Sequence, residues 1–263
     1  MDQHPWHQIN IDYPGNTRLR REQAALAHLH RVIPAAQDAG LIASWWFIRK
    51  GAWRIRYLTT DKPESPQLAH HLLSHDMTCS SDIYEPETHA FGGPDAMAAA
   101  HTLFHHDSRH LLTYLHQQPA NRRERSLILC TALMRAAALD LNEQGDVWAK
   151  VLAYRTADLD EPPAPDAKTW KQFTDDARHL LEGTVRNTDQ WHTAFRDAGN
   201  ALLLLRDAGK LTRGLRAVIA LHVIFHWNRL GLPASTQARL ARAATEAIFD
   251  NAPAPSTRWP APC

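Results

Sequence analysis

The stretch Ser44-Trp-Trp-Phe-Ile-Arg49, Lys50-Gly51-Ala52, Trp53-Arg-Ile-Arg-Tyr-Leu58 decides the fold. Two runs rich in aromatic and β-branched residues flank a glycine, which is the pattern of a β-hairpin. Strand side chains alternate between faces, so Arg54 and Arg56 share one, and Arg49 joins them from the neighbouring strand if the register brings it there. With Lys50 and the indoles of Trp45, Trp46 and Trp53 interleaved, the hairpin reads as a local anion site. A guanidinium offers a carboxylate two parallel donors, and stacking on indole holds it still. The alternative is a solvated strand face with cross-strand salt bridges.

Upstream, Gln8-Ile-Asn-Ile-Asp-Tyr13 alternates polar and apolar residues up to Pro14-Gly15, a half-buried strand closed by a turn. Asn16 and Thr17 offer N-caps to a helix in which Leu19, Gln23, Leu26, Leu29 and Ile33 recur at helical spacing until Gly40. Downstream, a loop from Asp61 to Pro66 leads to a short helix over 68–74, and 78–84 reads as a fourth strand ending at Glu85-Pro86. The order β-α-β-β-α-β is that of a split βαβ unit built on a small antiparallel sheet. From Pro94 the pattern is helical, over 95–117, 122–141, 145–154, 167–187, 190–208, 213–230 and 235–249. The expected class is therefore α+β. Residues 1–93 form the α+β part with the arginine hairpin, and 94–250 the helical part of the same compact domain. Residues 158–166 read as a proline-rich linker, and 251–263, with four prolines, as a flexible tail.

Of the 263 residues, 44% are hydrophobic and 22% charged, enough for a sizeable core. Lys and Arg number 29 against 28 Asp and Glu, a net charge of +1, so no whole-molecule field holds a polyanion or an anionic membrane, and direct nucleic-acid binding is not expected. Apolar runs such as 201–205 and 215–225 fall well short of the roughly 20 residues of a membrane span. Cys79, Cys130 and Cys263 are odd in number and far apart, with no CxxC, which points to a reducing cytoplasm rather than a disulfide framework. The N-terminus has no signal-peptide pattern. The unusual counts are 17 His and 9 Trp.

Two further constellations carry chemistry. In the first, Glu85, Glu87 and His89 cluster where the fourth strand ends, before Gly92-Gly93-Pro94 bends the chain into a helix bearing His101, His105, His106, Asp107 and Arg109. Local pairing and capping is the competing explanation. The second is 221–231, where His222 and His226 stand one helical turn apart, as do His101 and His105. Two such pairs could flank a metal, but no HExxH accompanies them, and no metal is expected. Phosphate-loop, dinucleotide and serine-hydrolase signatures are absent, so the chemistry reads as cofactor-free. Cys130, in an apolar helix, reads as a core thiol.

Four motifs follow one another along the chain: Trp46-Phe-Ile-Arg49 with Arg54-Ile-Arg56, Tyr84-Glu-Pro-Glu-Thr-His-Ala-Phe-Gly-Gly93, Leu103-Phe-His-His-Asp-Ser-Arg109, and His226-Trp-Asn-Arg-Leu230. Together they resemble the thiopeptide-type bacteriocin biosynthesis family, which is similar to the C-terminal glutamate-elimination domain of class I lanthipeptide dehydratases. The resemblance implies a cofactor-independent, cytoplasmic lyase of antibiotic biosynthesis that acts on a ribosomal precursor peptide with a leader. It also implies a glutamyl-tRNA-dependent glutamylating partner and is compatible with a homodimer. Carried over by position, it assigns Arg49 and Arg56 to catalysis and brings Asn228 and Arg229 to the site, with His226 or His222 as the base. The residues themselves add His89 to the catalytic candidates and Lys50, Arg54, Trp46, Trp53 and Glu87 to Asn228 and Arg229 for substrate binding. The chain departs from the family pattern at Ala90, where an Arg is usual, at Lys50, where a Tyr is usual, at Ile224, where a His is usual, and in its shorter hairpin.

Three readings follow. In the first, a histidine removes the Cα proton of a glutamylated Ser or Thr while Arg49 and Arg56 hold the glutamate carboxylates, leaving dehydroalanine or dehydrobutyrine. In the second, aromatic walls from Trp45, Trp46 and Trp53 hold two dehydroalanines for a formal [4+2] aza-cycloaddition that forms a pyridine and frees the leader. The third is a non-catalytic peptide-binding subunit.

Overall fold

The computed structural model describes residues 6–156, 166–183 and 189–249. Residues 158–165 of the expected linker and the tail 251–263 lie outside them. The front half runs β1 (Trp6–Ile11), α1 (Arg18–Asp38), β2 (Ile42–Lys50), β3 (Ala52–Thr59), α2 (Ser65–Ser74) and β4 (Cys79–Asp82). Its sheet has the order β2-β3-β1-β4 with every neighbouring pair antiparallel, so β3 is inserted between the parallel strands β1 and β2. This is the split βαβ arrangement expected from the sequence. Thr17 caps α1, its side chain accepting the Arg20 amide at 3.2 Å.

The hairpin register assigns each side chain to a face. Strands β2 and β3 pair symmetrically about Gly51, whose φ of 78° makes the turn, so Trp46 stands opposite Arg56 and Arg49 opposite Trp53. One face carries Trp45, Phe47, Trp53, Ile55, Tyr57, Ile9 and Ile11, buried in a cluster with Leu26, Leu29 and Ile33 of α1 and Ala69 and Leu73 of α2. The other carries Trp46 and Ile48, clustered with Tyr84 and Phe91 of the loop after β4. The expected common face of Arg49 with Arg54 and Arg56 is thus not formed, and the indoles are divided between faces as well. Strand β4 ends at Asp82 rather than Tyr84, because the Asp82 carboxylate accepts the Ile83 amide at 2.9 Å and Tyr84 turns in beneath the sheet to become buried.

The back half runs α3 (Pro94–His116), α4 (Arg122–Ala136), α5 (Leu141–Thr156), α6 (Ala167–Glu182), α7 (Gln190–Asp207), α8 (Leu215–Leu230) and α9 (Ala234–Phe249). The helix expected over 122–141 is broken at Ala138, with φ 56°. There Asp140 and Glu143 cap each other's amides, at 2.8 and 3.1 Å, and start α5. Helix α3 closes the outer edge of β2: Phe47 N–H donates to Ser108 Oγ at 3.2 Å, and His105 Nδ1 lies 3.0 Å from the Trp45 carbonyl. The main apolar cluster extends from Ile9 of β1 to Ile248 of α9, so both halves share one core. Among the described residues no helix is long and apolar enough to cross a membrane.

Candidate active site

A straight row crosses the second face of the sheet, Trp46 on β2, Arg56 on β3, Gln8 on β1 and Asp82 on β4. Arg56 is 6% exposed. Its guanidinium lies 4.4 Å from the Trp46 ring centroid and 4.0 Å from that of Tyr84. Arg56 Nε donates to Gln8 Oε1 at 2.7 Å, and Gln8 Nε2 donates on to Asp82 Oδ2 at 3.0 Å. Arg56 Nη1 is buried without a hydrogen-bond partner, and among the described residues Arg56 forms no ion pair. Burial lowers its pKa, opposed by the Tyr84 hydroxyl, Glu87 and Asp82. A desolvated cation with an unused donor is a receptor for an anion.

Tyr84 brings a proton-handling group to the same place. Its Oη lies 2.8 Å from His101 Nε2 on α3, so the two share one proton. Burial raises the Tyr84 pKa, which keeps the phenol protonated, while Arg56 lowers it in part. The His101 ring packs 4.8 Å from that of Trp6. A cleft of about 510 Å³ opens at the end of this row, lined by Trp6, His7, Gln8, Tyr57, His70, Asp82 and Tyr84 among others; Arg56 and His101 do not line it but touch the Gln8 and Tyr84 side chains that do. Arg54 is half-buried one row along, beside Asn10 and Ile48. Glu87 and His89 lie exposed on the adjoining loop.

The remaining expected residues stand elsewhere. Arg49, on the opposite face, pairs with Glu22 of α1 and donates from Nε and Nη2 to the carbonyls of Arg229 and Leu230, at 2.8 and 2.9 Å. Its guanidinium lies 4.6 Å from the Trp53 ring, and Arg122 holds the other side of Glu22 at 2.6 Å. These donors fasten the C-terminus of α8 to the sheet, where cations complement the exposed carbonyls. The Lys50 side chain lies outside the described residues.

His226 and Arg229 are both 0% exposed and meet Asp107 of α3, itself 0% exposed. Asp107 accepts from His226 Nδ1 at 3.0 Å, Arg229 Nε at 2.7 Å and Trp191 Nε1 at 2.8 Å. Burial alone would raise its carboxyl, yet the charges of His226 and Arg229 hold it at about 2. His222 is buried against Phe91 and Phe104 with neither ring nitrogen hydrogen-bonded, and burial, then Arg229, push its pKa down to about 3. The expectation of His226 or His222 as an accessible base meets rings shut inside the helical core. Asn228 accepts from Gln237 at 3.0 Å and Arg155 at 3.3 Å, joining α8 to α9 and α5.

The structure therefore assembles Trp46 and Arg56 and sets apart Arg49, Trp53, His222, His226, Asn228 and Arg229. The sequence singles out His101 as one of a pair of histidines on its helix and Tyr84 as part of a motif, but assigns neither of them, nor Gln8, a place in the site. The period-two alternation of β1 already placed Gln8 and Asn10 on one face, but no local pattern announces a tyrosine meeting a histidine on the next helix.

A buried guanidinium with a free donor beside a tyrosine–histidine pair, on a split βαβ sheet backed by helices, is the arrangement this α+β fold builds. The chain belongs to the lantibiotic biosynthesis dehydratase C-terminal family, whose model matches residues 6–248. It is similar to the crystal structure of the tRNA-dependent lantibiotic dehydratase MibB from Microbispora sp. 107891, with a TM-score of 0.58 and 18% identity over 95% of this chain and 28% of that one. This chain thus spans little more than a quarter of that dehydratase. It is also similar to the crystal structure of TsrL, with a TM-score of 0.63 and 15% identity over 93% of this chain and 94% of that one. No curated protein matches the chain.

Proposed function

We propose that this protein eliminates glutamate from glutamylated Ser or Thr of a ribosomal precursor peptide, within a cytoplasmic lanthipeptide- or thiopeptide-type dehydratase system. The observation that carries this reading is Arg56, buried between Trp46 and Tyr84 with a free donor and no carboxylate of its own. It receives the carboxylate of the glutamyl group, and the Tyr84–His101 pair handles the proton. In the reaction the Cα–H bond breaks and its electrons form the Cα=Cβ bond. The Cβ–O bond breaks with its electrons on the departing glutamate carboxylate, and the proton passes to the Tyr84 hydroxyl oxygen as Tyr84 gives its own to His101. A cation placed where negative charge develops is usually the largest catalytic contribution, and a positioned base adds about 10²–10⁴-fold.

The partners of this reading are a leader-bearing precursor peptide and a glutamyl-tRNA-dependent glutamylating protein. Pyridine-forming cycloaddition is the weaker alternative, because Trp45 and Trp53 face away from Trp46 and leave its expected wall unbuilt. The test supplies purified protein with a glutamylated core peptide and, separately, with a bis-dehydroalanine peptide. Glutamate release that is lost in Arg56→Ala supports elimination. A pyridine chromophore from the second substrate would instead establish cycloaddition. Unchanged activity of the complete system with Arg56→Ala and Tyr84→Phe would make the chain a non-catalytic subunit.

A further inference from the structure

We infer that the site reads a zwitterion: Asp82 receives the ammonium of the glutamyl group while Arg56 receives its carboxylate. The inference rests on the elimination reading of this same site and adds what selects the leaving group. Whichever carboxyl of glutamate carries the ester, the group presents one free carboxylate and one free ammonium, so a receptor for it needs a cation and an anion at fixed spacing.

The row across the sheet supplies both. Arg56, Gln8 and Asp82 occupy facing positions on three successive strands, which places the backbones of Arg56 and Asp82 about 10 Å apart. The Gln8 amide fills the interval, accepting from Arg56 with its oxygen and donating to Asp82 with its nitrogen. It satisfies each charge in part and keeps them from collapsing onto one another, and among the described residues neither is neutralised by an ion pair. Asn10 Nδ2, 3.4 Å from Asp82 Oδ2, steadies the carboxylate from the next row. Asp82 is exposed and, with Gln8 and Tyr84, lines the cleft of about 510 Å³. Glu87, whose charge also acts on Arg56, adds negative potential on the same side. A lone carboxylate ligand would find Arg56 but meet Asp82 and Glu87 with like charge, so the same carboxylates that admit an amino acid disfavour a simple diacid.

The experiment measures binding of L-glutamate, glutarate and 4-aminobutyrate to the full chain by calorimetry or NMR, in the wild type and in Asp82→Asn. The asparagine keeps one oxygen for either Gln8 Nε2 or the Ile83 amide, and Asp82 is exposed; an unchanged thermal unfolding midpoint shows that the fold is retained before binding is read. Wild-type protein is expected to bind glutamate about tenfold more tightly than glutarate, the worth of a charge-assisted hydrogen bond. Asp82→Asn should bring glutamate down to the glutarate level without weakening glutarate. Equal binding of the two ligands by the wild type, no binding of glutamate, or discrimination that survives Asp82→Asn would overturn the inference. Glutamate release from peptide is scored separately. Discrimination without release sinks the elimination reading and leaves the zwitterion site standing, whereas release of glutaryl and glutamyl groups at equal rates does the reverse.

Discussion

Arg49 and Arg56 stand on adjacent strands of one hairpin and point to opposite faces of the sheet. The two guanidiniums consequently serve different ends. Arg56 keeps a donor unused next to a cleft, while Arg49 spends its donors on Glu22 and on the end of α8.

Removing Arg49 should therefore be a stability defect first. Arg49→Met leaves the Glu22 carboxylate, 6% exposed, with Arg122 as its remaining ion partner and strips two α8 carbonyls of their donors. Breaking one side of a buried pair costs about 3–5 kcal/mol. Urea denaturation of Arg49→Met and Arg56→Met side by side checks this, and a larger loss for Arg56→Met would contradict the assignment.

Catalysis should respond to Tyr84 and His101. Tyr84→Phe and His101→Gln are expected to lower kcat for glutamate release by about 10²–10⁴-fold with little change in KM, since proton transfer is lost while Arg56 still binds. Variants that raise KM alone would mark the pair as a binding element.

Acid should destabilise the fold well before carboxylates titrate. His222 and His28 have pKa values pushed down by burial to about 3 and about 4, against about 6.5 in the unfolded chain. The unfolded chain thus binds more protons between these values, so stability is full above about pH 6.5 and falls as pH drops toward 4 and 3. Asp107, held at about 2, adds a further loss below about pH 4. Unfolding free energies measured from pH 7.5 to 4.5 should decline, and His222→Leu should flatten the slope. An identical slope in that variant would show that His222 is not buried as a neutral ring.

Gly199 marks the close approach of α7 to α4. A Cβ there would lie 2.3 Å from the Leu133 carbonyl oxygen and 2.8 Å from the Ala136 Cβ, and neither can swing away. Gly199→Ala should cost about 1–3 kcal/mol or more through overpacking. Thermal unfolding of this variant at wild-type Tm would mean that the helices are less tightly held than described.

The split βαβ order, the helical back half and the cap at Thr17 were all written in local sequence, because period-two alternation, helical spacing and capping residues act over a few positions. The break between α4 and α5 is also present locally, in the Asp140 and Glu143 capping box, but the apolar stretch 133–139, interrupted only by Arg135, reads as one continuous helix. Register is a different kind of fact. Pairing centred on the single residue Gly51 sets even-numbered residues of β2 against even-numbered residues of β3, which separates Arg49 from Arg56 and Trp46 from Trp53. Alternation supplies the parity within a strand, but only the closed turn fixes it between strands.

The sequence by itself determined the class of fold, the family motifs and Arg56 as a candidate cation. Tertiary structure decided which of the charged residues remain available. Helices α3 and α8 seal Asp107, His226 and Arg229 against one another, whereas Tyr84 and His101, 17 positions apart in the chain, meet beside Arg56 only when the loop after β4 folds under the sheet. Availability depends on which partner reaches a charge first, and that is settled by packing between elements distant in sequence.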